Sequence, residues 1–175
     1  MPISRYRLAA IPAALLACCA AAPAAAEGEV IRIQRNPQAF ILEAARVNAG
    51  ADTIYVSGQL PSPLDPAMPM SAVTSVEQMG NTQQQTVSTL AKIRDILATQ
   101  GFTMADVVKL TLMVAADPRT GAMDFAGANA GFREFFGTAD NPGTVARSTF
   151  QVAALVGPYY LIEIEAIAAR PPVAE

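Results

Sequence analysis

Residues 160–168 read YLIEIEAIA, an alternation that admits one structure, a strand with a single face in the core. Ile162, Ile164, Ala166 and Ala168 fall on one side, and Glu163, Glu165 and Ile167 on the other. Such a strand must join a sheet that another layer covers on its apolar side. Three further runs supply partners. Residues 107–115 place Val108, Leu110, Leu112 and Val114 opposite Val107, Lys109, Thr111 and Met113. Residues 144–152 place Val145, Arg147, Thr149 and Gln151 opposite Ala146, Ser148, Phe150 and Val152. Residues 53–59 are β-branched and aromatic, and are expected to pair with a weaker strand over 40–47 across the turn 48–52. Residues 29–34 form one more strand candidate.

The covering layer is helical. Between 75 and 100, Thr86, Leu90, Ile93 and Leu97 step by four, three and four, and Gly101 is placed to end the helix. A second helix is expected over 123–136, with Phe125, Phe132 and Phe136 on one stripe and Asn129 among them. An amide so placed must be hydrogen-bonded if buried, either to tie down a loop or to hold a ligand. Gly127 and Gly131 suggest close helix packing. Residues 60–70 contain Pro61, Pro63, Pro66 and Pro69 and must be a loop, of the kind that serves as a lid or binding segment. Gly157-Pro158 marks a turn, so the last two strands are expected to form an antiparallel hairpin. The fold class is α+β, one sheet with two helices on one face.

Residues 1–26 stand apart. Arg5 and Arg7 precede an Ala/Leu-rich run that closes on Ala24 and Ala26 as an A-x-A site, the layout of a cleaved secretory signal peptide. Pro12 and Pro23 leave too short a run between them to span about 30 Å of hydrocarbon. Leu15-Leu16-Ala17-Cys18 loosely matches a lipidation site, so membrane attachment is expected only if Cys18 carries lipid. Cleavage leaves 27–175 as a single domain with a periplasmic or secreted destination. Cys18 and Cys19 are the only cysteines and lie in the leader, so the remaining chain has no disulfide and no thiol nucleophile. It keeps ten basic against fifteen acidic residues, a balance that disfavours nucleic acid.

The chain contains no His, which excludes a Ser-His-Asp triad and an imidazole base. No metal-ligand spacing, phosphate loop or dinucleotide fingerprint is present, so neither metal nor cofactor is expected. In the expected hairpin, Arg147 and Glu163 are equidistant from Leu155 and face each other on the side away from the aliphatic core. A guanidinium is a bidentate fork for a carboxylate, and a nearby acid can polarise water. Read alone, the same pair is an ordinary cross-strand ion pair. Glu163 and Glu165 share one strand face and cannot flank a glycosidic bond. Ser57 has no base to activate it and reads as a strand-end hydroxyl. Lys109 reads as a surface residue.

These residues resemble the RidA/YjgF family of reactive-intermediate deaminases over about 53–170. The resemblance is carried by Val56-Ser57-Gly58-Gln59, the helix end at Gly101-Phe102 and Asp106-Val107-Val108-Lys109. It continues through the stretch from Asn129 to Phe136, Ala146-Arg147-Ser148 and Ile162-Glu163-Ile164-Glu165-Ala166-Ile167-Ala168. It implies a chorismate-mutase-like subunit in a homotrimer with a ligand cleft at each interface. The implied reaction is hydrolysis of 2-imino acids and their enamine tautomers to 2-oxo acids and ammonia, without a cofactor. Arg147 would clamp the substrate carboxylate and Glu163 orient the water, while Ser57, Gly58, Asn129 and Thr149 would line the substrate. The chain departs from the family pattern over Ile41-Leu42-Glu43-Ala44-Ala45, the stretch where deaminases carry Gly-Pro-Tyr, so their active-site Tyr is missing. Further departures are Thr149 in place of the usual Cys and Val145 in place of Pro. The alternative is a non-catalytic small-carboxylate-binding or holdase-like module on the same trimeric fold; an endoribonuclease is a third reading.

Overall fold

The computed structural model describes residues 27–173; the expected leader and Cys18 lie outside them. Eight regular elements follow in order: β1 (Val30–Ile33), β2 (Ala44–Val47), β3 (Asp52–Gln59), α1 (Thr82–Thr99), β4 (Val107–Val114), α2 (Phe125–Arg133), β5 (Ala146–Gln151) and β6 (Ile162–Arg170). The main sheet has the order β3-β6-β4-β5. β6 runs antiparallel to both β3 and β4, and β5 runs parallel to β4.

This order corrects two expected pairings. β5 and β6 are not a hairpin, because β4 lies between them. β4 is buried along most of its length and belongs at the centre, so it takes β6 on one side and β5 on the other. β2 pairs with β1 instead of β3, in an antiparallel ribbon. The ribbon is fastened to the main sheet by Arg32, whose guanidinium donates to the carbonyls of Ala105, Val107 and Thr144. A bridge between Leu42 and Ala146 adds a second attachment.

Both helices cover one face. Leu90, Ile93 and Leu97 of α1 are fully buried and join Leu110, Leu112 and Val114 of β4 and Ile162, Ile164, Ala166 and Ala168 of β6 in the core. The helix starts later than its periodicity suggests. Gly80, at φ +86°, breaks the chain after a short turn at Val76–Gln78, and Asn81 then caps α1 by accepting from the Gln84 amide at 2.9 Å. Gly101 ends α1 as expected, in the left-handed region at φ +71°. α2 is likewise shorter than its pattern: Asp124 caps it through the Gly127 amide at 2.7 Å, and Phe125 is exposed instead of sharing the buried stripe. Gly131 is the close-packing glycine, since a Cβ there would lie 2.7 Å from the Thr86 side chain and 2.8 Å from the Gln83 carbonyl. The proline-rich loop is pinned to α1. Lys92 donates to the Leu60 carbonyl at 2.8 Å, and Ser88 Oγ accepts from the Ser62 amide at 2.9 Å. Among the described residues, no helix is long and apolar enough to cross a membrane, and no three His, Cys, Asp or Glu cluster as a metal site.

Candidate functional site

Register decides which side chains can meet. On β5, Arg147 pairs with Leu110 and Thr149 with Leu112, so both side chains share the helix-covered face. On β6, Glu163 pairs with Met113 and Glu165 with Thr111, which places both on the open face. The expected meeting of Arg147 and Glu163 within one chain therefore does not occur: a strand separates them and they project from opposite sides. The alternation was right, but its buried side was misassigned. Ala146, Ser148 and Phe150 lie on the open face, where Phe150 stands exposed.

A charged side chain under a helix layer needs compensation, and Arg147 has three sources of it. Its Nη2 donates to Asn129 Oδ1 at 2.6 Å, which supplies the partner that Asn129 required. Its Cζ lies 4.5 Å from the Phe132 ring centroid and 5.1 Å from that of Phe40. Phe132 in turn stacks on Phe136 with centroids 4.7 Å apart. Burial, aided by the neighbouring Arg133 charge, lowers the Arg147 pKa to about 10. Two polar atoms remain unpaired: Arg147 Nη1 and Thr149 Oγ1 are both shielded from solvent and have no hydrogen-bond partner. Unpaired buried donors two residues apart on one strand face mark a place for an acceptor, and a carboxylate has that chemistry.

The other expected residues gather on the opposite face. β3 and β6 lose register between Val56 and Gln59, and Gly58 sits in that irregularity. A Cβ on Gly58 would overlap the Glu163 carboxylate, so this glycine leaves room for the carboxylate where it stands. Glu163 is half-buried there, and none of the hydrogen bonds or ion pairs among the described residues engages its carboxylate. Ser57 lies nearby, lining a cavity of about 300 Å³ with Tyr55, Lys109, Thr111 and Glu165. Lys109 is committed to Ser148 Oγ at 2.7 Å. One chain thus presents two half-sites, Arg147–Asn129–Thr149 and Glu163–Gly58–Ser57.

Two residues beside Arg147 were not anticipated. Phe40 comes from the ribbon loop, and nothing in its local pattern signals a role. Arg133 was legible in principle, because it stands four residues after Asn129 and so shares its helix face. Glu43, in the segment where deaminases carry their tyrosine, is turned to an exposed ion pair with Arg35 at 2.5 Å.

Comparison with known proteins agrees with this fold. The family model described as Endoribonuclease L-PSP matches residues 35–170. A RutC family protein of Haemophilus influenzae is 32% identical over 146 residues, covering 81% of this chain and 97% of the relative. The YjgF gene product of E. coli is 31% identical at a TM-score of 0.50, over 68% of this chain and 81% of that one. E. coli TdcF, solved with bound serine, is 26% identical at a TM-score of 0.50, over 70% and 87% of the two chains. A Rid-family protein of Yersinia pestis shares the fold at a TM-score of 0.58 and 24% identity, over 78% and 96%. The matched span includes all of the main sheet and both helices, and the chain belongs to the Endoribonuclease L-PSP family, the RidA/YjgF family of its sequence motifs.

Proposed function

We propose that the protein is an exported imine deaminase whose site is completed between copies of the chain, most simply in a homotrimer. Arg147, held by Asn129, grips the carboxylate of a 2-imino acid, with Thr149 as a further donor. Glu163 of a neighbouring copy orients a water and accepts its proton as the oxygen adds to the imine carbon. That proton passes to the imine nitrogen to give the carbinolamine, whose hydroxyl proton moves to nitrogen as the C–N bond breaks, releasing ammonia and the 2-oxo acid. The imine carbon is electrophilic as it stands, so positioning and a polarised water suffice without a cofactor. The observation that carries this reading is the unpaired, buried Nη1 of Arg147 beside the unpaired Thr149 hydroxyl. The serine bound to TdcF supports a small amino-acid-like ligand. The separation of Arg147 and Glu163 onto opposite faces is the reason this reading draws the acid from another copy. Tyr55 and Phe150, exposed on the open face, are apolar surface for that copy to cover. The leader pattern supports a periplasmic or secreted location, and the acidic balance supports a small-molecule substrate over RNA.

The test is complementation. Arg147→Ala and Glu163→Gln are each expected to lose ammonia release from a freshly generated imino acid. Unfolding and refolding them together is expected to restore about one quarter of wild-type activity, the share of intact interfaces in randomly mixed trimers. Inactive mixtures of properly assembled variants would reject a shared site.

Two further outcomes bear on this reading. Gly58→Ala is expected to lower hydrolysis at least about tenfold while changing stability by under about 1 kcal/mol, because the flexible Glu163 side chain gives way first. Activity assays paired with urea unfolding check this. Affinity for a small carboxylate is expected to stay level from pH 6 to 9 and to fall above about 10 as Arg147 loses its proton. The sign follows from the lowered pKa: the charged form is disfavoured in the fold, and a bound anion restores it, so binding takes up protons at high pH. Titration calorimetry across pH reads both effects.

The non-catalytic alternative is favoured by one observation: the stretch Ile41-Leu42-Glu43-Ala44-Ala45, where deaminases carry a tyrosine, has none, and its Glu43 is paired with Arg35. Carboxylate binding at Arg147 without turnover of any imine would establish it. Salt-sensitive RNA binding or cleavage would instead favour the ribonuclease reading.

A further inference from the structure

Arg147 is not the only cation at this site. The Arg133 guanidinium lies over the same Phe40 ring, its Cζ 4.7 Å from the centroid against 5.1 Å for Arg147. The two charges therefore share one aromatic ring. None of the ion pairs among the described residues involves either of them. Glu134, next in sequence to Arg133, is turned to α1, where it accepts from Gln83 Nε2 at 2.9 Å. Arg147 keeps Nη1 unpaired, and no hydrogen bond of the described residues uses an Arg133 guanidinium donor. Two like charges held close without a counter-ion repel, and the repulsion is felt: Arg133 is one of the causes that lower the Arg147 pKa. A single carboxylate on Arg147 neutralises only half of this arrangement.

We propose that Arg133 is a second anion-binding group and that the ligand of this site carries two acidic groups, as a short dicarboxylate does. The inference rests on Arg147 as the carboxylate clamp and adds the specificity. One carboxylate takes the buried guanidinium and the other the exposed one beside the same Phe40 ring. Arg133 also stands in the last turn of α2, where a cation suits the helix end. That role alone would affect stability without distinguishing among ligands.

Titration calorimetry of glutarate and butyrate against the full-length protein tests the inference. Wild type is expected to bind glutarate about fivefold or more tightly than butyrate. Arg133→Gln is expected to remove that preference by weakening glutarate several times more than butyrate, and Arg133→Lys to retain most of it. Arg147→Ala is expected to lose both ligands. Butyrate binding with no preference for glutarate, or a preference that survives Arg133→Gln, overturns this inference and leaves the carboxylate clamp intact. Failure of wild type to bind either ligand overturns both.

Discussion

Arg147→Ala is expected to lower kcat/KM for imine hydrolysis by about 10²–10³, or roughly 3–4 kcal/mol of lost interaction with the substrate anion. The size follows from the surroundings. A charge-assisted hydrogen bond is stronger where solvent is excluded, and Nη1 is already shielded with no partner to give up. The loss should appear in small-carboxylate affinity as well as in turnover, since the guanidinium acts on the part of the substrate that does not react. Arg147→Lys keeps the charge but not the fork, and the Asn129 contact then competes with the ligand for the same ammonium; about a tenfold loss is expected. Calorimetry with a small carboxylate and ammonia release from an imino acid check both variants. Wild-type affinity in Arg147→Ala would remove this residue from the site.

The largest effect on stability is expected from a residue far from any ligand. Gln85 of α1 is fully buried and satisfies three backbone groups at once. Its Nε2 donates to the carbonyls of Gly80 at 3.1 Å and Tyr159 at 3.0 Å, and its Oε1 accepts from the Leu161 amide at 2.8 Å. It thereby joins the start of α1 to the segment leading into β6. Gln85→Leu fills the same space and orphans all three groups, for a loss of about 3–4 kcal/mol. Against a total of roughly 5–15 kcal/mol for a domain, that is a large fraction. Urea unfolding at fixed protein concentration should show a lower midpoint with little change in slope. Gln83→Leu, two residues earlier and exposed, serves as the control and should shift stability by less than about 0.5 kcal/mol.

Periodicity was a sound guide to the strands of the main sheet and to the buried stripe of α1, because burial on one face leaves a mark every two or every three to four residues. It said less about neighbours. The Gly157-Pro158 turn marks a reversal whether the following strand pairs with the preceding one or crosses to another, and here β6 crosses to lie between β3 and β4. The side of β5 was misleading for a chemical reason. Arg147 is tolerated under the helices because Asn129 and two phenyl rings receive it, and those partners come from segments well separated along the chain. Asn129 shows the converse. A polar group among aromatics implied a partner, and the partner proved to be the candidate clamp.

The placement of β6 bears on when the chain can fold. Both neighbours of this C-terminal strand precede it, and it contributes four of the core aliphatic side chains. A chain still lacking Ile162–Arg170 can pair β4 with β5 but holds β3 with no strand to join it to them, so the four-stranded sheet closes only when β6 enters between its two neighbours.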